Sequence, residues 1–257
     1  MKDKVLFITG AASGIGLAIS RTFAEKGATV VLTDRDEKSM DKAVAQLKAE
    51  NLEVTSIVCD VTDETHIKSA IDQTYQKYSR IDILINNAGL QYISPIEDFP
   101  TAQFELLLKV MLTAPFIAIK HVFPVMKKQA FGRIINMASV NGLIGFVGKA
   151  AYNSAKHGVI GLTRVAALEG AMYGITVNAV CPGYVDTPLV QNQLSAIAKH
   201  RNIPVAKVLD EVIFPLVPQR RLITVNEVAG YVYFLAGEDA KGITGQAIVI
   251  DGGYTAQ

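Results

Sequence analysis

A doubly wound α/β fold, with helices on both faces of a parallel sheet, is the architecture this sequence predicts. Short runs rich in Val, Ile and Thr alternate with longer helical patterns along most of the chain, as right-handed βαβ crossovers require. The strand runs are apolar throughout rather than alternating, the mark of strands buried on both faces. The residues with chemical reach fall directly after strands, on the edge where open α/β sheets bind ligands.

The strand candidates are 5–9 (VLFIT), 29–33 (TVVLT), 54–58 (VTSIV), 81–86 (IDILIN), 132–138 (GRIINMA), 175–180 (ITVNAV) and 247–251 (AIVID). Helical patterns fill 15–26, 38–50, 64–78, 102–128, 149–173 and 225–237. Residues 186–224 interrupt this rhythm, with Pro188, Pro204, Pro215 and Pro218 around a polar helical piece. A long excursion of this kind reads as a substrate lid inserted before the last βα unit. No repeat or low-complexity linker divides the chain, so a single domain over 1–257 is expected.

Half of the 257 residues are hydrophobic and the formal net charge is +1, ample for one core and no electrostatic invitation to nucleic acid. The uncharged stretch 170–185, which no other uncharged stretch exceeds in length, is broken by Gly, Asn and Pro, so no membrane span is expected. Cys59 and Cys181 lie far apart in apolar surroundings and read as reduced thiols of a cytoplasmic protein. His66, His121, His157 and His200 show no metal-ligand spacing, and no catalytic metal is expected.

After the first strand comes TGAASGIG, residues 9–16. Its Gly10, Ser13, Gly14, Ile15 and Gly16 form a tight turn into a helix, whose open N–H groups suit a pyrophosphate; any tight βα turn can also need glycine. The second strand supplies a check by ending at Asp34, eighteen residues past Gly16. A carboxylate there accepts both ribose hydroxyls of an adenosine and repels a 2′-phosphate, which favours NAD over NADP; the adjacent Arg35 moderates that preference. Asp60 and Val61 follow the third strand, where Asp60 can accept from an adenine amino group. Asn87, Ala88 and Gly89 follow the fourth, with small residues where a cofactor needs close approach.

KAAYNSAKHG, residues 149–158, spaces Tyr152 and Lys156 four apart on a helical pattern, so both side chains share one face. Such a pair is either surface polarity or a phenol whose proton is available. Ser139 stands after the fifth strand, thirteen residues before Tyr152. The joint pattern of TGxxxGxG, NNAG, Ser139, YxxxK and the Pro182–Gly183 dipeptide resembles the classical short-chain dehydrogenase/reductase family. That resemblance implies a Rossmann-type, seven-stranded, three-layer αβα fold and alcohol–ketone interconversion with a nicotinamide cofactor. It implies Ser139, Tyr152 and Lys156 as the catalytic set, with Lys156 also gripping the nicotinamide ribose. Pro182, Gly183, Val185 and Thr187 then belong to a loop over the nicotinamide. Bringing a phenol from a pKa of about 10 to about 7 takes roughly 4 kcal/mol. The Lys156 ammonium and the oxidised nicotinamide are expected to supply it.

The segments NNAGLQYISPIEDFPT, TPLVQNQLS and DGGYTAQ resemble the D-3-hydroxybutyrate dehydrogenases of that family. By matching position, Gln91, Lys149 and Gln193 would hold a substrate carboxylate, with Asn141 and Tyr184 also lining the substrate site. The resemblance departs at three places. Asn141 stands where a histidine is usual. Tyr184 and Tyr254 stand where tryptophans are usual. Met111 replaces the asparagine of a proton relay; Pro115, four residues on, frees the Met111 carbonyl from its helical donor, and that carbonyl is expected to take over the task. Other secondary alcohols, such as a sugar, polyol or 3-oxoacyl substrate, remain alternatives, as does a dinucleotide-binding sensor with weak chemistry. The apolar helices near 104–125 and 151–171 suggest oligomer contacts, and the family is commonly tetrameric.

Overall fold

The computed structural model describes the backbone of residues 1–201 and 203–256, and their side chains except at 192, 193, 196, 197 and 199–201. Seven parallel strands form one sheet in the order β3-β2-β1-β4-β5-β6-β7. The strands are β1 (Val5–Thr9), β2 (Thr29–Asp34), β3 (Val54–Val58), β4 (Ile83–Asn86), β5 (Gly132–Met137), β6 (Ile175–Pro182) and β7 (Ala247–Ile250). The order reverses direction between β1 and β4, so their carboxyl ends open a crevice at the topological switch point.

Alternation within each strand shows why its whole sequence is apolar. Leu6 and Ile8 of β1 enter one core layer with Ile19, Phe23 and Val228, while Val5 and Phe7 enter the opposite layer with Ile71, Ile117 and Val122. Helices α1 (Gly14–Glu25), α2 (Glu37–Ala49) and α9 (Val225–Leu235) cover the first face. The second carries α3 (Glu64–Tyr78), α5 (Ala114–Gln129) and α6 (Ala150–Gly170). Helix starts follow capping chemistry: Asp36 and Asp63 accept from Ser39 N and Thr65 N, and Thr224 and Glu227 form a reciprocal capping box on α9.

Most element ends shift by one to three residues from the sequence expectation, and two differences have a clear physical cause. Strand β4 begins at Ile83 rather than residue 81, because the buried Asp82 side chain caps the sheet's amino edge instead, accepting from Val5 N and from Arg80. The pattern at 102–128 is not one α-helix. It is α4 (Thr101–Leu108), a π-helical turn at Lys109–Thr113, and α5. Ala114 N reaches five residues back to the Lys109 carbonyl, and Pro115 has no N–H to give. The Val110 carbonyl thus loses both its α-type and its π-type donor, beyond the Met111 carbonyl that proline alone disturbs. By length and hydropathy Thr101–Gln129 could cross a membrane, but Met111, Ile117, Ile119, Val122 and Met126 are buried in the protein core.

The excursion before α9 forms α7 (Pro188–Arg201), α8 (Val205–Val208) and further short turns. It has its own apolar cluster of Val190, Leu194, Val208, Ile213 and Val217, joined by Tyr184 and Tyr254. A parallel bridge between Val185 and Ile223 closes its base.

A buried polar chain fastens α6 to the sheet. Asn86 Nδ2 donates to Asn136 Oδ1 (2.8 Å), Asn136 Nδ2 donates to Thr163 Oγ1 (2.9 Å), and Thr163 Oγ1 donates to the Val159 carbonyl (2.7 Å). Thr163→Val keeps the shape but leaves the Asn136 amide without its acceptor. Denaturant unfolding should show a loss of about 1–3 kcal/mol, with the m-value unchanged.

Candidate active site

A cleft of about 260 Å³ lies along the carboxyl edge of the sheet. Gly10, Ser13, Gly14, Ile15, Asp34, Asn87 and Gly89 line one half. Ser139, Asn141, Lys149, Tyr152 and Lys156 line the other, facing Gln91 and the loop Pro182, Gly183, Tyr184, Val185 and Thr187. A side pocket of about 140 Å³ adds Arg35, Cys59, Asp60, Val61, Thr62 and Ala88 to Gly10, Asp34 and Gly89.

The glycine-rich turn is built for close approach. Gly10 has φ +64°, and a Cβ there would stand 2.7 Å from Ala88 Cα; a Cβ on Gly16 would stand 2.3 Å from the Gly10 carbonyl oxygen. Gly16 is thus a packing residue inside the turn, not part of the cleft wall. Asn87 pins the same turn, its Nδ2 donating to the carbonyls of Thr9 and Gly10 (3.1 and 2.8 Å). Ser13 precedes α1 without a side-chain cap, so the first N–H groups of the helix remain available to an anion. Asp34 Oδ2 accepts from Ala12 N (3.3 Å) and Oδ1 from Asp36 N (3.1 Å). A carboxylate has about four lone-pair sites, so those bonds leave room for ribose hydroxyls. Asp60 uses Oδ1 for both bonds to Thr62, which hold its pKa below the usual carboxylate value. These residues fit a dinucleotide: the turn and α1 would hold its pyrophosphate, Asp34 its adenosine ribose, and the Asp60 pocket its adenine.

At the other end, Ser139 caps a 3₁₀ turn (Val140–Gly142), its Oγ accepting from Asn141 N (3.2 Å). Tyr152 and Lys156 lie one turn apart on α6. Tyr152 hydrogen-bonds the Ser139 side chain. Lys156 Nζ, buried, donates to the Met137 carbonyl (2.5 Å) and stands 5.5 Å from the Tyr152 ring centroid.

The protein's own contribution to the electrostatics is set by burial. Burial pushes the Tyr152 phenol up from its ordinary value, against a downward pull from its Ser139 hydrogen bond. Burial likewise pushes Lys156 down to about 8. The protein alone therefore favours the protonated phenol, and the ammonium is committed to a strand carbonyl. Beneath both sits Cys181, fully buried, its thiol pushed up to about 11 by burial while a Ser139 backbone hydrogen bond pulls the other way.

Lys149 precedes α6 and is 4% exposed. Its ammonium lies 4.5 Å from the Phe146 ring centroid and 5.9 Å from those of Tyr152 and Tyr184, and burial brings its pKa down to about 8. Gln193 belongs to α7, but its side chain lies outside those described. Met111 is buried under the site, its sulfur 3.7 Å from where a Cβ on Gly89 would stand. The Asn86–Asn136–Thr163 chain was not anticipated; the asparagines inside two apolar strand runs were its only sequence signal. Among the described residues no group of three His, Cys, Asp or Glu is placed to hold a metal ion.

A switch-point crevice with a glycine-rich turn, an acidic β2 terminus and a Ser–Tyr–Lys cluster defines a class, and the chain belongs to the short-chain dehydrogenase/reductase family of nicotinamide-dependent oxidoreductases. Residues 10–255 match a family model described as enoyl-(acyl carrier protein) reductase. The chain is 61% identical to an uncharacterized oxidoreductase, YxjF, of Bacillus subtilis (strain 168), covering all of both chains. It is 43% identical to a D-beta-hydroxybutyrate dehydrogenase of Rhizobium meliloti (strain 1021), over 99% of each. A solved structure of a variant actinorhodin polyketide ketoreductase with NADPH superposes with a TM-score of 0.96 at 33% identity, covering 99% of this chain and 98% of that one.

Tyr152→Phe removes the cleft phenol that hydrogen-bonds Ser139. Turnover should fall by about 10²–10⁴-fold while dinucleotide affinity, read by NADH fluorescence titration, stays at the wild-type value; retained turnover would overturn the acid–base assignment.

Proposed function

We propose that the protein interconverts a small 3-hydroxy acid, D-3-hydroxybutyrate in the first instance, and its 3-oxo acid, with NAD as the cofactor. The observation that carries the substrate class is the buried Lys149 ammonium in the cleft wall beside Tyr152. A cation placed there orients a small carboxylate by a charge-assisted contact, and Gln91 and Asn141 of the same cleft add amide donors. The relative from Rhizobium meliloti carries a matching name. The support for NAD is Asp34, which lines both the cleft and its side pocket and whose carboxylate would repel a 2′-phosphate.

Within this reading Ser139 holds the reacting oxygen, and Tyr152 exchanges its proton with that oxygen. In the reducing direction the phenol gives its proton to the incipient alkoxide, the form that burial already favours. In the oxidising direction it must first lose that proton. Bound nicotinamide supplies the hydride acceptor or donor. Lys156 holds the ribose side of the site. Exposed Phe116, Val165, Leu168 and Met172 on α5, α6 and the turn after it support association into a homotetramer.

A 3-oxoacyl substrate with a long carrier-borne chain is the second reading. It is favoured by exposed Ile96 and Val147 (79% and 93%) on two loops joined by the Ser94 N to Gly148 carbonyl bond near Lys149. An NADH-absorbance assay over free 3-hydroxy acids, both enantiomers, and their thioesters separates the two. The first reading expects the free four-carbon D-acid to have the highest kcat/KM. Because Lys149 carries its proton below about 8, KM for the acid should rise as pH passes that value, by about tenfold per unit. Lys149→Met should abolish that pH dependence. An absence of turnover with every free acid would overturn this reading.

The cofactor choice has its own test. Asp34→Ala should raise kcat/KM for NADP relative to NAD by at least about tenfold, or about 1.4 kcal/mol. A wild type already preferring NADP would refute the role given to Asp34.

A further inference from the structure

The mechanism leaves the C-terminal tail without a task, yet the tail supplies part of the cleft wall. Tyr254 lines the cleft with Tyr184, Asn141 and Lys149, although it lies beyond the last strand. Its ring stacks on Tyr184, with centroids 6.1 Å apart and planes 28° apart. Tyr184 in turn lies against the Lys149 ammonium, so the stack forms the wall beside the carboxylate anchor.

A segment outside regular structure holds such a position only when it is tied down, and here the ties are explicit. Asp251, buried at the end of β7, accepts three hydrogen bonds from the tail. Its Oδ1 takes Gly253 N (2.8 Å), and its Oδ2 takes Thr255 N and Thr255 Oγ1 (both 2.7 Å). The excursion joins the same knot, with Gln219 N donating to the Gly252 carbonyl (3.1 Å). Tyr254 is held between the two residues that Asp251 grips.

We propose that Asp251 and Thr255 are positioning residues forming a C-terminal clasp, and that this clasp sets substrate length by fixing Tyr254 against Tyr184. Neither side chain is assigned a contact with the reacting atoms. The clasp acts through the stacked ring, which closes the cleft to chains longer than a small acid; this step rests on the hydroxy-acid reading. Loosening the tail lets Tyr254 move and opens room for further methylenes. Each methylene admitted to an apolar pocket changes discrimination by about tenfold or more.

Thr255→Val removes the hydroxyl bond and keeps the side-chain shape; Thr255→Ser keeps the hydroxyl. Steady-state kinetics of both variants and wild type on four-, five- and six-carbon 3-hydroxy acids read the ratio of kcat/KM between the longest and shortest acid. Thr255→Val should raise that ratio about tenfold through KM, with NADH affinity and four-carbon kcat at wild-type values, and Thr255→Ser should restore the wild-type ratio. Hydrogen exchange should show the amides of 253 and 255 protected in wild type and faster in Thr255→Val. An equal loss across all acids, or tail amides unprotected in wild type, would overturn the clasp while leaving the functional reading intact. A wild type inactive on every acid would overturn the functional reading, and the length selection with it, and is told apart by that inactivity.

Discussion

The placement of one ammonium governs the geometry of this site. Lys156 is buried on α6, and a buried cation needs a partner to offset its lost hydration. It takes the Met137 carbonyl, at the end of β5 and two residues before Ser139. That bond joins the helix bearing the phenol to the strand bearing the hydroxyl. The Asn86–Asn136–Thr163 chain repeats the linkage deeper in the protein, between β4, β5 and the same helix. Tyr152 and Ser139 meet because α6 is held against β5 at both levels, and neither side chain needs a flexible loop to find the other.

The same burial that fixes the geometry sets a limit on the chemistry. Withdrawing Tyr152 and Lys156 from water disfavours the charged form of each, raising the phenol and lowering the amine. The two shifts move the groups toward a neutral pair, opposite to the phenolate–ammonium pair that proton abstraction from an alcohol needs. Ser139 is the group in the protein whose hydrogen bond pulls the phenol back. A positively charged ligand bound beside them would add to that pull. The resting protein is therefore electrostatically closer to a proton donor than to a proton acceptor.

How far these features can be read from sequence depends on how local they are. Tyr152 and Lys156 are readable because four residues fix their relation on any helix. The glycine-rich turn is readable because Gly10 and Gly16 answer to contacts within their own βα unit or its neighbour. From sequence Asn86 and Asn136 show only as strand residues, since their bond spans 50 positions and depends on the β4–β5 register. Lys149 is the sharpest case. Its place before a helix is equally suited to a solvated lysine, and only the packing of Phe146, Tyr152 and Tyr184 about its ammonium reveals a buried charge. The upward push that burial exerts on Tyr152 is hidden from sequence for the same reason: charges can be counted along a chain, but burial belongs to the assembled fold.

The helix break before α5 shows how a substitution can alter a site through the backbone. Met111 offers a thioether where an amide is usual, so the side chain contributes bulk under Gly89 and no hydrogen bond of comparable strength. The backbone around it is rearranged at the same point. Proline alone would disturb a single carbonyl, that of Met111. With Ala114 N drawn back to Lys109, the disturbance extends to Val110, and Val110 borders the side pocket at Asp60 while Met111 packs with Tyr152. A π-turn costs hydrogen-bond geometry and is seldom kept without a compensating role. Here it changes the register of α5 relative to α4, which lets α4 pack on α6 while α5 stays in the sheet-facing core. The polar capacity absent from the Met111 side chain thus coincides with main-chain acceptors freed at Val110 and at Met111 itself.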